Sequence, residues 1–237
     1  MKKLLLIATL CVLGLFNLNA QEPETITITV GDGVSTNMYS PTYIDQYYSV
    51  TQQIFVAEEM EGEAGKITSV SFKCTKNIAT RTFKVYMVNT DKTSFSSKTD
   101  WIPVTTENLV YEGLVSFSAD SWTTITFQNP FTYKRGKKVL LGVNDVTGSY
   151  VGSITQYASD ARTETRLLCA YAYSNLDATN IEKITASKDF AQVNHVKFTI
   201  VDDGSGDIID EAPDAPTNLT AEALSDTEIE LSWTASE

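Results

Sequence analysis

Side chains able to make or break bonds are scarce in this sequence of 237 residues. Its one histidine, His195, shares an alternation with Val193, Lys197 and Thr199, opposite the apolar set Val196, Phe198 and Ile200. That register turns the imidazole toward solvent or a sheet edge, a poor setting for a metal ligand or general base. The HExxH spacing that puts two imidazoles and a carboxylate on one helix face does not occur. Neither a GxSxG elbow nor a Gly-rich phosphate loop is present. Cysteine–histidine catalysis would need Cys74 or Cys169 to reach His195 as an activated thiolate. Both cysteines sit in apolar strand-like runs, which favour the inert thiol. The chain has 30 acids, but they fall mostly in loops, without the distinctive setting of a glycosidase carboxylate pair. The expectation is that this chain is not an enzyme.

Binding chemistry is better represented. Calcium wants several carboxylate and carbonyl oxygens, and Asp32 (in Gly31-Asp32-Gly33) and Asn144-Asp145 (at the end of a strand-like run) are the candidates for a structural ion. Turn formation explains the same residues, since Gly, Asn and Asp favour turns. No other cofactor is expected. Tyr39, Tyr43, Tyr47 and Tyr48 crowd one loop-like segment, and Trp101 and Tyr150 fall in other loops. Exposed rings there, Tyr43, Trp101 and Tyr150 above all, could stack on sugar faces or anchor a protein partner. The alternative is that they pack over the ends of the fold.

The elements that must hold these residues are strands. Lys2 and Lys3, the apolar stretch Leu4–Phe16 and the small-residue end at Ala20 predict a signal peptide over residues 1–20. Its apolar core falls short of the roughly 20 residues that span a bilayer, so the expectation is export, to the medium or the cell surface, with no membrane insertion after cleavage. Cys11 follows the bulky Leu10, which argues against a lipid anchor. The whole chain carries a net charge of −12, and cleavage removes two lysines and no acids. Nucleic acid is excluded as a partner, because phosphate binding needs a basic patch. The acidic run Glu58-Glu59-Met60-Glu61-Gly62-Glu63 reads as a solvated loop.

From Glu24 onward, short runs rich in β-branched and aromatic residues are separated by Gly, Asn, Asp and Ser turns. Thr25–Val30 alternates with period two, as do Thr68–Cys74, Phe83–Met87, Trp122–Phe127 and Asn194–Ile200, while Lys138–Val143 and Thr165–Tyr173 are more evenly apolar. Pro130 is expected to end the strand that contains Phe127. Eight to ten strands and no amphipathic helix predict an all-β protein, a β-sandwich over residues 21–201. Cys74 and Cys169, 95 positions apart, are either a disulfide, which export permits, or two buried thiols. The acidic, glycine-containing stretch over residues 202–213 predicts a linker.

Two resemblances go further. Pro213-Asp214-Ala215-Pro216-Thr217-Asn218-Leu219, then Thr227-Glu228-Ile229-Glu230-Leu231-Ser232-Trp233, resemble the opening of a fibronectin type III domain, with Leu219, Ile229, Leu231 and Trp233 at that family's inward positions. It covers residues 214–237, so the resemblance implies an incomplete domain and a piece of a larger multidomain protein. Asp120-Ser121-Trp122 through Phe131-Thr132-Tyr133, continuing over Gly136–Asp145, resembles a strand-and-turn pattern of bacterial jelly-roll modules. Gly31-Asp32-Gly33, Tyr39–Tyr43, Thr51–Phe55 and Asp91–Phe95 with Trp101 fit the same likeness, which is to cleaved-adhesin-like surface proteins of anaerobic gut and oral bacteria of the Bacteroidetes type. It implies a jelly-roll-like β-sandwich and a non-catalytic module for adhesion, binding a glycan or a host or other extracellular protein. The alternative it implies is an accessory or spacer domain of a secreted peptidase or glycoside hydrolase.

Overall fold

The computed structural model describes residues 23–152, 155–159, 162–207, 217–225 and 228–234. The predicted signal peptide and residues 208–213 of the predicted linker lie outside them.

The alternating segments are strands. A four-stranded antiparallel sheet runs in the order β1 (Glu24–Val30), β12 (Val196–Asp202), β4 (Gly65–Lys73), β7 (Trp122–Tyr133). A six-stranded sheet runs β11 (Lys188–Phe190), β10 (Leu167–Ala172), β3 (Tyr48–Phe55), β8 (Lys138–Asp145), β5 (Ile78–Thr90), β6 (Leu109–Phe117). The short strands β2 (Ser35–Asn37) and β9 (Gln156–Ala158) pair with each other. The chain is therefore all-β, two sheets face to face. Each strand of the smaller sheet turns one set of side chains inward, as the period of two requires. Ile28, Val70, Phe72, Ile125, Phe198 and Ile200 meet Phe55, Phe83, Val85, Met87, Leu141 and Val143 of the larger sheet in one core. The other face of the smaller sheet is polar. One row across it reads Thr27, Thr199, Ser69, Thr126, β-branched or small hydroxylated residues suited to a wet pleated surface.

The six-stranded sheet differs, because it is covered on both faces. Val50, Ile54, Tyr86, Leu140, Leu168 and Ala170 point away from the first core into a second one. Its outer wall comes from two non-strand segments: Phe95, Trp101, Ile102 and Val104, then Leu176, Ala178, Ile181 and Ala186. Burial on both sides explains the unbroken apolar run of β8, which a one-sided strand would not carry. Two consecutive glutamines of β3 pin the layers. Gln52 Nε2 donates to the Ile102 carbonyl at 2.7 Å and its Oε1 accepts from the Ile102 N–H at 2.8 Å. Gln53, facing the other way, donates from Nε2 to Asn194 Oδ1 at 2.7 Å and accepts the Asn194 N–H at 2.8 Å.

The structure corrects two expectations and decides a question the sequence left open. β7 does not stop at Pro130 but continues to Tyr133. Its pairing with β4 jumps from Thr126 to Phe131, and proline is tolerated at such a bulge because no ladder N–H is needed there. The acidic run is no simple solvated loop: Ala57–Met60 form a 3₁₀ turn, and Glu59 accepts from Arg166 Nη2 at 2.7 Å, from the Val56 N–H at 2.9 Å and from Arg162 Nε at 2.9 Å. Burial pushes the Glu59 carboxyl up, but Arg166, the Val56 N–H and Arg162 together hold it below its ordinary value. A carboxyl held low in the folded state stabilises it above the unfolded-state pKa and loses that contribution as the pH falls through the folded one. Glu59→Gln is therefore expected to cost about 1–3 kcal/mol at neutral pH. The gap between variant and parent melting temperatures closes in acid; a gap that does not change with pH would refute the account. Lastly, Cys74 and Cys169 are free thiols, both buried. Burial pushes the Cys74 thiol up to about 12 and raises that of Cys169 as well, so both are inert small apolar residues, not a disulfide.

The outer edge of β6 is closed by β7 side chains. Gln128 accepts the Glu112 N–H and donates to the Glu112 carbonyl, each at 2.9 Å, and Asn129 Nδ2 donates to the Leu109 carbonyl at 3.3 Å.

Beyond the sandwich, β13 (Thr217–Ser225) and β14 (Glu228–Thr234) form an antiparallel hairpin. Leu219, Ile229, Leu231 and Trp233 on it are 56–69 % exposed.

Candidate ligand-binding cleft

Three connecting segments meet at one end of the six-stranded sheet. The segment before β3 is tied to the one after β8 by the Val151 N–H donating to the Ile44 carbonyl and the Gly148 N–H to the Tyr47 carbonyl, both at 3.1 Å. The third follows β10, whose Ala172 pairs with Tyr48. Gly148 adopts a left-handed backbone (φ 75°), and a Cβ there would come 2.9 Å from the Tyr48 hydroxyl, so glycine is required on both counts.

The segment after β8 is clamped from below. Arg81 and Asp145 are both fully enclosed, their side chains 1 % and 0 % exposed, with Nη2 2.6 Å and Nε 2.8 Å from Asp145 Oδ2. Asp145 Oδ1 accepts from the Thr147 N–H at 3.0 Å, and Arg81 Nη1 donates to the Ser149 carbonyl at 2.7 Å. Burial raises the Asp145 carboxyl, against the pull of Arg81 and of the Thr147 hydroxyl and N–H.

Above this clamp, on the outer face of the sheet, the second-core cover stops short and leaves an open cleft of about 660 Å³. Its floor is Tyr48 from β3, Lys84 and Tyr86 from β5, Glu112 from β6 and Asn144 from β8; Val146, Asn175, Leu176 and Asp177 complete the walls. Lys84 Nζ lies 3.2 Å from Glu112 Oε1. Asp177 accepts from the Thr179 N–H (2.9 Å), the Thr179 hydroxyl (2.8 Å) and Asn180 Nδ2 (2.7 Å), which hold its carboxyl below the ordinary value. Burial, with Asp177 and Glu112 nearby, pushes the Tyr86 phenol up to about 12, so it stays a neutral donor. Asn144 is 2 % exposed; its Nδ2 donates to the Leu176 carbonyl at 3.0 Å, and its Oδ1 has no partner among the described residues. A buried acceptor left unmade costs about 1–3 kcal/mol, which a hydroxyl entering the cleft would recover. Lys84 is thus matched by Glu112, Asp177 is held by neutral donors alone, and the cleft is lined by amides, phenols and carboxylates.

Beside it lies a second cavity of about 280 Å³, lined by Asp45, Gln46, Tyr47, Tyr150 and Tyr173. Tyr47 sits 5.6 Å from Tyr150 and 5.7 Å from Tyr173, centroid to centroid. Tyr150 is 59 % and Tyr173 78 % exposed, and Gln46 Oε1 has no partner among the described residues.

The residues singled out in the sequence fare unevenly. Tyr150 stands in this second cavity. Tyr43 belongs to a separate ring cluster, 4.6 Å from Tyr39 and 4.7 Å from Tyr171, with Phe190 5.1 Å from Tyr39. Trp101 is corrected outright: it is 4 % exposed, and its indole N–H donates to the Ile184 carbonyl at 2.7 Å, so it packs in the second core and offers no face to a ligand. Of the calcium candidates, Asp32 caps its own turn, its Oδ1 accepting from the Val34 N–H at 3.1 Å. Asn144 and Asp145 point to opposite faces of β8, one toward the cleft and one into the Arg81 clamp. No group of three or more metal-ligating side chains occurs among the described residues. His195 sits at a sheet end, its Nδ1 3.1 Å from the Val30 carbonyl and its ring 4.8 Å from Trp122. Sequence reasoning missed Lys84, Tyr86, Glu112, Asn175 and Asp177. The available signal was the polar half of the β5 alternation, Lys84 and Tyr86 between Phe83, Val85 and Met87.

Comparison with protein-family models, curated proteins and solved structures found no match.

Proposed function

We propose that the sandwich is a non-catalytic binding module of an exported multidomain protein, and that the cleft on the outer face of the six-stranded sheet takes a glycan. The observation that carries this reading is the cleft's composition, tyrosines and amides around the buried Asn144 Oδ1, which has no partner among the described residues. Ordinary ligand pockets run about 300–1,000 Å³, and the cleft falls in that range. Binding suits it better than bond-making, since Lys84 already engages Glu112 and Thr179 and Asn180 engage Asp177, leaving neither carboxylate placed as a proton donor.

The jelly-roll reading has support from the order of the eight long strands that span the sandwich. Counted alone, β1, β3, β4, β5, β6, β7, β8 and β12 are ordered first, eighth, third, sixth in one sheet and second, seventh, fourth, fifth in the other, the double Greek key of a jelly roll. The second reading, an accessory or spacer domain beside a peptidase or glycosidase domain, draws on the hairpin. Its exposed Leu219, Ile229, Leu231 and Trp233 suit the open half of a fibronectin type III fold, and two strands alone bury too little to stand by themselves.

A glycan array probed with the purified chain tests the proposal. The expected result is binding to a defined glycan set that Tyr48→Phe weakens about tenfold while the melting temperature stays within a few degrees of the parent. Binding to none of the arrayed glycans by a folded protein would leave the spacer reading.

A further inference from the structure

We propose that the cleft and the tyrosine cavity are two ends of one elongated site, built for an uncharged oligosaccharide longer than a disaccharide. This rests on the glycan-binding reading above and adds the class and extent of the ligand.

The same three connections contribute to both cavities, although no residue lines both. Tyr47 lines one and Tyr48 the other, neighbours about 3.8 Å apart along the backbone. The segment after β8 supplies Val146 to the first and Tyr150 to the second, and the segment after β10 supplies Asn175 and Tyr173 in the same way. The two cavities therefore adjoin along the same three connections, which places a second unit of a long ligand within reach of the tyrosines. Each end also holds a buried amide oxygen without a partner among the described residues, Asn144 Oδ1 in the cleft and Gln46 Oε1 in the tyrosine cavity. Both are acceptors, so the ligand must bring a donor to each end, as a chain of hydroxyl-bearing rings does.

The charges count against an anionic ligand. The cleft's cation, Lys84, is matched by Glu112, and the whole chain carries a net −12, so an anionic glycan would meet repulsion without a compensating cation. Division of labour follows from exposure. The polar cleft fixes one unit by hydrogen bonds. Tyr150 and Tyr173, 59 % and 78 % exposed, offer ring faces to the next units, where stacking adds affinity with little demand on the identity of the sugar. A peptide is the less suited ligand, because Val146 and Leu176 are the aliphatic side chains of the cleft wall and the rest of the lining is polar or phenolic.

Calorimetric titration of the full chain with cello-, malto-, manno- and N-acetylchito-oligosaccharides, from dimers to hexamers, tests this. At least one series is expected to bind more tightly as it lengthens. The Tyr150→Ala/Tyr173→Ala double variant should lose about tenfold affinity for the long members and none for the dimer. Both rings are more than half exposed, so the variant folds, which its melting curve checks. Binding that ignores chain length, or a double variant that loses affinity equally at all lengths, would refute the elongated site while leaving glycan binding intact. Binding only of anionic glycans or of peptides would refute the ligand class. Failure of every glycan, neutral or charged, on a folded protein would remove this inference together with the reading beneath it.

Discussion

Replacing Asp145 with Asn should cost the domain about 3–5 kcal/mol, because it strands the Arg81 guanidinium, 1 % exposed, with no counter-charge. Arg81→Met should cost a comparable amount, since it leaves the Asp145 carboxyl buried and unpaired. The double change to apolar residues of similar volume should recover much of the loss, as replacing a buried ion pair whole is far milder than breaking it. Chemical denaturation of the three variants measures this. The same substitutions should act on the candidate site, because the pair also holds the Thr147 N–H and the Ser149 carbonyl, and so positions the segment that carries Tyr150. Three variants of equal stability to the parent would show that Arg81 reaches water, contrary to the structure.

Trp101→Ala is expected to rank with it, at about 3–5 kcal/mol, the usual cost of deleting a buried tryptophan. The indole fills the second core and its N–H anchors the Ile184 carbonyl, so its loss loosens both cover segments at once. Hydrogen exchange should report the damage selectively. Amides of β3, β8 and β10 under the cover should exchange faster in Trp101→Ala, and those of β1 and β12, in the opposite sheet, should keep their protection in native buffer. Any glycan binding lost in this variant would be an indirect result of a loosened outer layer. A stability change under 1 kcal/mol would contradict the burial.

Which parts of this architecture the sequence disclosed depends on how many sides of a strand are wet. β1, β4, β7 and β12 alternate because one face meets the core and the other solvent, and period-two reading finds them. β8 stands out by its continuous Val139-Leu140-Leu141, although its reason, a second core, is not visible in the run itself. β3 hides better: Gln52 and Gln53 look like surface residues, yet both are buried to satisfy loop and neighbour backbone groups from each side. β6 escapes because Glu112, Gly113 and the 70 %-exposed Leu114 interrupt its pattern. The cover segments carry no periodicity at all, so Trp101 looked like a loop aromatic free for a ligand. Asp145 looked like a turn or calcium residue because its partner, Arg81, is 64 positions away. The candidate site was legible only in its tyrosines. Its floor is the outer face of four strands brought side by side by long-range pairing, which a linear reading cannot assemble.

The side-chain seal along the rim of β6 has a consequence for how this protein behaves at high concentration. A terminal strand normally presents a free N–H and C=O on which a foreign strand can build, the first step toward polymers and amyloid-like stacks. At Glu112 both groups are already taken by one Gln128 amide, which mimics the missing neighbour without belonging to one. Copies packed closely together would find that border closed to templated growth, and Gln128 thereby becomes a guardian of solubility.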